Sequence, residues 1–146
     1  MPITPDHVGR RYPLATPYLV TQTKIDEFRA AIGDRSTGPE APGTFAMVIG
    51  ARAWDGLFAD PELGLALHRT MHADQRFDFV RPLRDGDLVT AELVVDKVRN
   101  RGAMDMVTIV VEMSVESEPV CRATATLVHT RPADDAPLSD DSRKEA

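Results

Sequence analysis

The stretch EAPGTFAMVIGARAWDGLF, residues 40–58, restricts the fold more than any other part of the chain. Gly43 or Thr44 opens it, and the apolar spacing beyond them predicts a helix over 44–58 that ends near Asp60 and Pro61. A helix on the surface of a globular domain carries one apolar stripe and one polar face. Here Phe45, Val48, Ile49, Ala53 and Leu57 make one stripe, and Met47, Ala51, Trp54 and Phe58 make a second. Only Arg52 and Asp55 interrupt them. Such a helix must be covered on several sides, and a strongly twisted sheet is the cover that can reach around it.

The second half of the chain supplies that sheet. From Thr70 the apolar period changes from helical to two. Gln75, Phe77 and Phe79 make the first run, Val89, Ala91, Leu93 and Val95 the second, and Val107, Ile109, Val111, Met113 and Val115 the third. Cys121, Ala123, Ala125 and Leu127 make the inner face of the last. Turn residues at Asp85-Gly86, Asn100-Arg101-Gly102 and Glu118-Pro119 separate the runs, so an antiparallel meander is expected. Ahead of the central helix, residues 12–20 read as an extended lead-in broken by Pro17. Thr23-Lys24-Ile25-Asp26 reads as a capping box for a short amphipathic helix that carries Ile25, Phe28, Ala31 and Ile32 and ends at Gly33. The fold class is therefore α+β, one domain over residues 1–131 in which an antiparallel sheet wraps a long apolar helix.

Composition removes several function classes. A chain of 146 residues buries about two-thirds of its unfolded surface and needs no disulfide or metal to hold it. Cys121 is the single cysteine, and the N-terminus has neither the basic nor the apolar region of a secretory signal, which predicts a reducing, cytoplasmic setting. No apolar run approaches the ~18 residues of a membrane span. A net charge of −6 offers no basic surface to nucleic acid. No spacing of His, Cys, Asp or Glu points to metal and no glycine-rich loop to a nucleotide, so no cofactor is expected. Residues 132–146 hold five carboxylates against two basic groups, with Leu138 as their one large apolar side chain, and are expected to be disordered.

Three segments in this order carry a resemblance: Val8-Gly9-Arg10-Arg11-Tyr12, Ala41-Pro42-Gly43-Thr44-Phe45, and residues 72–87, HADQRFDFVRPLRDGD. Together, and across residues 5–131, the chain resembles the FAS1-like dehydratase domain of the MaoC superfamily, which includes the small subunits of (3R)-hydroxyacyl-ACP dehydratases. The resemblance implies a hotdog fold and a hydro-lyase acting on 3-hydroxyacyl thioesters of CoA or acyl carrier protein. In that family an Asp and a His sit before the central helix, typically as Asp-x-Asn-x-x-His. The chemistry needs a base for the α proton, an acid for the departing hydroxide, and amides at the helix start to polarise the thioester carbonyl.

The corresponding loop here reads GDRSTGPE over 33–40, with no Asn two residues after Asp34 and no His three further on. Asp34, following a helix-ending glycine, suits a turn. His72 and Asp74 lie two apart on an expected strand and would share a face. His129 falls on the inner register of the last strand and reads as a satisfied buried or edge histidine, and Cys121 reads as a small core residue. No residue is expected to be catalytic in its own right, Asp34 and His72 being the candidates should one be. The amides of Gly43 and Thr44 are expected to meet the thioester oxygen, with Val48, Ile49 and Trp54 lining an acyl channel. Three functions stay open at this point: a substrate-binding, non-catalytic partner of an Asp/His-bearing subunit, which is the favoured reading; a homodimeric dehydratase or hydratase using Asp34 and His72; and an acyl-CoA-binding protein without chemistry. An exposed edge strand calls for a second subunit in each case.

Deleting residues 132–146 is expected to leave assembly intact and the melting temperature little changed. A stability loss above about 1 kcal/mol would show that the tail is docked.

Overall fold

The computed structural model describes residues 2–133, so from residue 134 onward the acidic tail lies outside the described residues. Six strands form one antiparallel sheet: β1 (Arg11–Pro13), β2 (Tyr18–Leu19), β3 (Thr70–Phe79), β4 (Leu88–Arg101), β5 (Met104–Val115) and β6 (Glu118–Thr130). Two helices accompany it, α1 (Gln22–Ile32) and α2 (Ala46–Ala59), the second entered through a 3-10 turn at Gly43–Phe45. The α+β class and the hotdog arrangement are as expected. All the inner-face residues read from β4, β5 and β6 are buried except Val115, which is half-buried. Onto them α2 lays Ala46, Ile49, Gly50, Ala53 and Leu57. Burying a side chain such as Leu57 completely contributes roughly 1.5–3 kcal/mol, so this one stripe dominates the packing.

The sheet does not enclose α2. Ala51, Arg52, Asp55, Gly56 and Ala59 are exposed, and Met47, Val48, Trp54 and Phe58 are only half-buried. The second apolar stripe therefore runs along the border of the core, where Trp54 meets His72 of β3 with ring centroids 5.0 Å apart.

The strand order is β1-β4-β5-β6-β3, with β2 also paired to β4, so β4 to β6 form the meander while β3 crosses to the far side of β6. The chain after β3 cannot turn tightly into β4, because residues 83–85 instead pair with 39–41. One edge of the sheet is thus made of the short, proline-interrupted β1 and β2, and the other is the ten-residue β3.

Several local expectations are corrected. The cap of α1 is Thr21, whose hydroxyl accepts from the N–H of Lys24 at 3.2 Å, and not Thr23. The helix starts early because Val20 is still tied to the sheet turn through the Asp87 carbonyl, and the Asp85 carboxylate takes the N–H of Gln22 at 2.9 Å. Ala31 and Ile32 are exposed, and the buried face of α1 is Ile25 with Arg29. The β5–β6 hairpin turns at Glu116 and Ser117, which take φ of 51° and 68°, so Glu118 and Pro119 already belong to β6. His72 and Asp74 do not share a face: a bulge at Ala73 pairs His72 with the inward Leu127 and Asp74 with the outward Thr126.

The C-terminus of α2 is held by a polar clasp. Asp60, which caps it, accepts from the Tyr12 hydroxyl at 2.6 Å and from Arg10 at 3.0 Å, while Arg10 also reaches Glu62 at 2.7 Å. The Tyr12 hydroxyl, with the N–H of Glu62 and Arg10 behind it, holds the Asp60 carboxyl below its ordinary range against the opposing effect of burial. A depressed folded-state value means that this stability is fully present above about pH 4 and is lost as pH falls through the lowered value. Tyr12→Phe should cost about 1–2 kcal/mol in denaturant titrations at neutral pH. The variant should also lose less stability than wild type between neutral pH and pH 3.

Candidate active site

The segment 81–87 is the scaffold of the site. Arg81 grips Asp87 with both guanidinium nitrogens, at 2.8 and 3.1 Å, and Asp87 also accepts the N–H of Arg84 at 2.8 Å. Burial alone would raise the Asp87 carboxyl, but these partners hold it below its ordinary range. Leu83 is sunk in the core, and Gly86 supplies the φ of 91° that the turn requires. From this rigid turn the Leu83 carbonyl takes the N–H of Ala41 at 2.7 Å, and the N–H of Asp85 reaches the Pro39 carbonyl at 2.9 Å. The loop that leads into α2 is pinned from that side.

From the other side it is pinned by Arg29. This side chain, 7% exposed, donates to the carbonyls of Gly38 at 2.8 Å and Glu40 at 2.5 Å, and lies 3.5 Å from the Asp26 carboxylate. A buried guanidinium needs such partners, and the pre-helix loop supplies two. Sequence reasoning missed Arg29. Its signal was the i, i+4 spacing from Ile25, which puts it on the buried face of α1.

The held loop delivers Gly43 and Thr44 to the surface as the first residues of the helical entry, where amide groups have no acceptor within the helix. Gly43 faces the end of β3: a Cβ placed on it would lie 3.7 Å from Cε2 of Phe79. From that point the half-buried stripe of Met47, Trp54 and Phe58 runs along α2, with His72 against Trp54. Val48 is half-buried, whereas Ile49 is 0% exposed and lies wholly in the core, leaving Val48 and Trp54 as the proposed channel residues with accessible surface.

The two acid–base candidates are not brought into a dyad with each other. Asp34 closes a turn, accepting the N–H of Ser36 at 2.8 Å. Hydrogen bonds from Ser36 hold its carboxyl below the usual range, which makes it a weaker base. His72 shares a 3.0 Å hydrogen bond with Gln75.

A buried acid–histidine pair does exist elsewhere. His129 Nδ1 lies 3.3 Å from Asp105, and its Nε2 accepts the N–H of Ala66 at 3.2 Å, so of the buried or edge positions the sequence left open it takes the buried one, with both ring nitrogens partnered. Asn100 and Arg131 complete the cluster around Asp105. His129 is paired with Thr70 at the start of β3, whereas Gly43 meets Phe79 at its end, and a strand of that length spans about 30 Å. The pair therefore belongs to the opposite end of the sheet. Cys121 is buried, and burial first, then Asp78, pushes its thiol up to about 11, so it is no nucleophile. Among the described residues no group of three or more His, Cys, Asp or Glu is placed to hold a metal, and no helix is long and apolar enough to cross a membrane.

Comparison with known proteins places this geometry in a family. The model of the FAS1-like dehydratase domain region matches residues 6–123. A UPF0336 protein of Cutibacterium acnes is 47% identical over 93% of this chain and 100% of its own length, and one of Saccharopolyspora erythraea is 38% identical over 92% and 96%. Among solved structures, the truncated HadBC complex of Mycobacterium tuberculosis, a (3R)-hydroxyacyl-ACP dehydratase, superposes with a TM-score of 0.72 at 22% identity, over 84% of this chain and 97% of that one. The MaoC-like dehydratase of Rhodospirillum rubrum does so with a TM-score of 0.64 at 24% identity, over 90% and 94%. At these identities the structures establish a shared fold, while the family model and the sequence relatives establish kinship. The chain belongs to the UPF0336 proteins and, with them, to the FAS1-like dehydratase domain family of hotdog proteins.

Proposed function

We propose that the protein is the substrate-binding, non-catalytic subunit of a 3-hydroxyacyl-thioester dehydratase or enoyl hydratase of fatty-acid metabolism, the Asp and His coming from a partner hotdog subunit. The observation that carries this reading is the loop before α2. It keeps its place, clamped by Arg29 and the 81–87 turn, and it has neither the Asn nor the His of the family's acid–base pattern. What remains is a binding role. In that role the Gly43 and Thr44 amides would meet the thioester oxygen, and Val48 and Trp54 would line the path of the acyl chain.

The partner would complete the site. Solved relatives of the fold include two complexes of M. tuberculosis, HadBC and ChsH1–ChsH2, which supports assembly from two hotdog subunits. In the completed site the partner's base would take the α proton and its acid would protonate the leaving hydroxide, while this chain would hold the carbonyl and the acyl tail. The alternative of a self-sufficient enzyme loses ground because Asp34 is spent on its own turn and His72 on Gln75 and Trp54.

General acid–base steps each supply about a hundredfold to ten-thousandfold, so the purified chain should bind acyl thioesters weakly and dehydrate a 3-hydroxyacyl-CoA no faster than background. Activity should appear on mixing with an Asp/His-bearing hotdog subunit. In that complex Trp54→Ala should impair long-chain substrates more than short ones, and Asp34→Ala or His72→Ala should change turnover little. If the chain alone hydrates an enoyl-CoA at an enzymatic rate, and Asp34→Ala or His72→Ala abolishes it, the self-sufficient reading replaces this one.

A further inference from the structure

The half-buried stripe along α2 is apolar at Met47, Trp54 and Phe58, yet the strand beside it is polar at one place. His72 and Gln75 of β3 are paired with the inward Leu127 and Ala125, and the His72 and Trp54 rings meet in a T, with centroids 5.0 Å apart and planes at 80°. His72 is exposed, and Gln75 and Trp54 are half-buried, so a ligand running along the stripe can reach all three.

Hydrogen bonding decides what this group can recognise. The Gln75 amide donates through Nε2 to the Arg76 carbonyl at 3.3 Å, which leaves its Oε1 for His72 Nε2, 3.0 Å away. Two acceptors cannot share a bond, so Nε2 of His72 carries the proton and donates it. In the neutral ring Nδ1 is then an acceptor, and among the described residues it has no hydrogen-bond partner. Water meets this nitrogen while the stripe is open, but a run of methylenes laid over it leaves it unsatisfied. A hydroxyl satisfies it. A keto oxygen, which only accepts, does not.

The elements also set the distance to the reacting end. From Thr44 to Trp54 the helical entry and α2 advance about 16 Å. Along β3, from Phe79 beside Gly43 back to His72, the interval is at most about 23 Å. An extended acyl chain advances about 1.25 Å per bond, from carbon–carbon bonds of about 1.5 Å at an angle of about 111°. We propose that His72 is a hydroxyl-accepting station in the acyl channel, selecting long acyl thioesters with a hydroxyl between about the twelfth and the eighteenth carbon. This hydroxyl is a second one, remote from the 3-hydroxyl that dehydration removes. The inference rests on the binding role proposed above for Gly43, Thr44 and Trp54, and it concerns affinity for the chain, not turnover.

The test uses the full chain and its own reporter, since Trp54 is the single tryptophan. At about pH 8, where imidazole is neutral, the chain is titrated with octanoyl-CoA, octadecanoyl-CoA, and octadecanoyl-CoA bearing one hydroxyl or one oxo group at successive carbons from about the twelfth outward. Binding is followed by calorimetry and by tryptophan fluorescence. Octadecanoyl-CoA should change the emission, and octanoyl-CoA should not. At one or two positions a hydroxyl should tighten binding about three- to tenfold over the plain chain, and an oxo group at the same carbon should not. His72→Phe should abolish that gain while keeping the affinity for octadecanoyl-CoA. Gln75→Leu frees the imidazole to take either tautomer, so hydroxyl and oxo chains should then bind alike. Unchanged circular-dichroism melts would show that the variants fold. The proposal is overturned by an emission change with octanoyl-CoA, by the absence of a hydroxyl gain at every position, by a gain that survives His72→Phe, or by a hydroxyl preference that survives Gln75→Leu. Each of these, with octadecanoyl-CoA still bound, leaves the proposed function standing. If no acyl-CoA binds at all, the binding role itself fails and this proposal falls with it.

Discussion

The structure depends on an imbalance: α2 carries more apolar surface than its own sheet can bury. Its first stripe, centred on Ile49, Ala53 and Leu57, is buried in the same core as the inner face of β4, β5 and β6. The second, Met47, Trp54 and Phe58, is left at the border, next to the one long unprotected strand. Half-buried aromatic surface and an unpaired sheet edge are each tolerable on a monomer in small amounts; side by side they describe a subunit surface. The same border holds Gly43 and Phe79, so assembly and substrate binding would share one strip of the molecule.

The 81–87 turn does the complementary work at the opposite face of the loop. Its Arg81–Asp87 pair is closed on itself, and its remaining groups are directed outward to three clients: Val20 before α1, Gln22 within it, and the loop before α2. A short segment therefore fixes the relative position of the two helices and the sheet. The Arg-Pro-Leu and Gly-Asp of this segment can thus be read as architecture: Leu83 is the anchor, Gly86 the turn, and Asp87 the lock.

Features governed by periodicity were legible in the sequence. The inner faces of β4 to β6, the central helix and the inner register of His129 follow from spacing alone, because burial on one side of a regular element repeats in the chain. What escaped depends on contacts distant in sequence or on a break in the period. The bulge at Ala73 moves Asp74 to the outer face, and no local signal marks it. Thr21 caps α1 in place of Thr23 because Asp87 and Asp85 hold the preceding residues, and those partners lie more than sixty positions away. The place of β3 beside β6 depends on the 83–85 segment pairing backward with 39–41. At the site, the missing acid–base residues were plain in the sequence, and the Arg29 clamp that keeps their loop in place was not.

That clamp acts on carbonyl oxygens of the main chain, which every residue type provides alike. Substitutions at Ser36, Thr37 or Glu40 leave its acceptors untouched, so the shape of the loop is insulated from the identity of its side chains. Selection on assembly could thus preserve the form of this segment while its chemical content drifted. The burden of constancy falls instead on one position in α1, where even lysine, a single point charge without a planar fork, is a poor replacement for arginine.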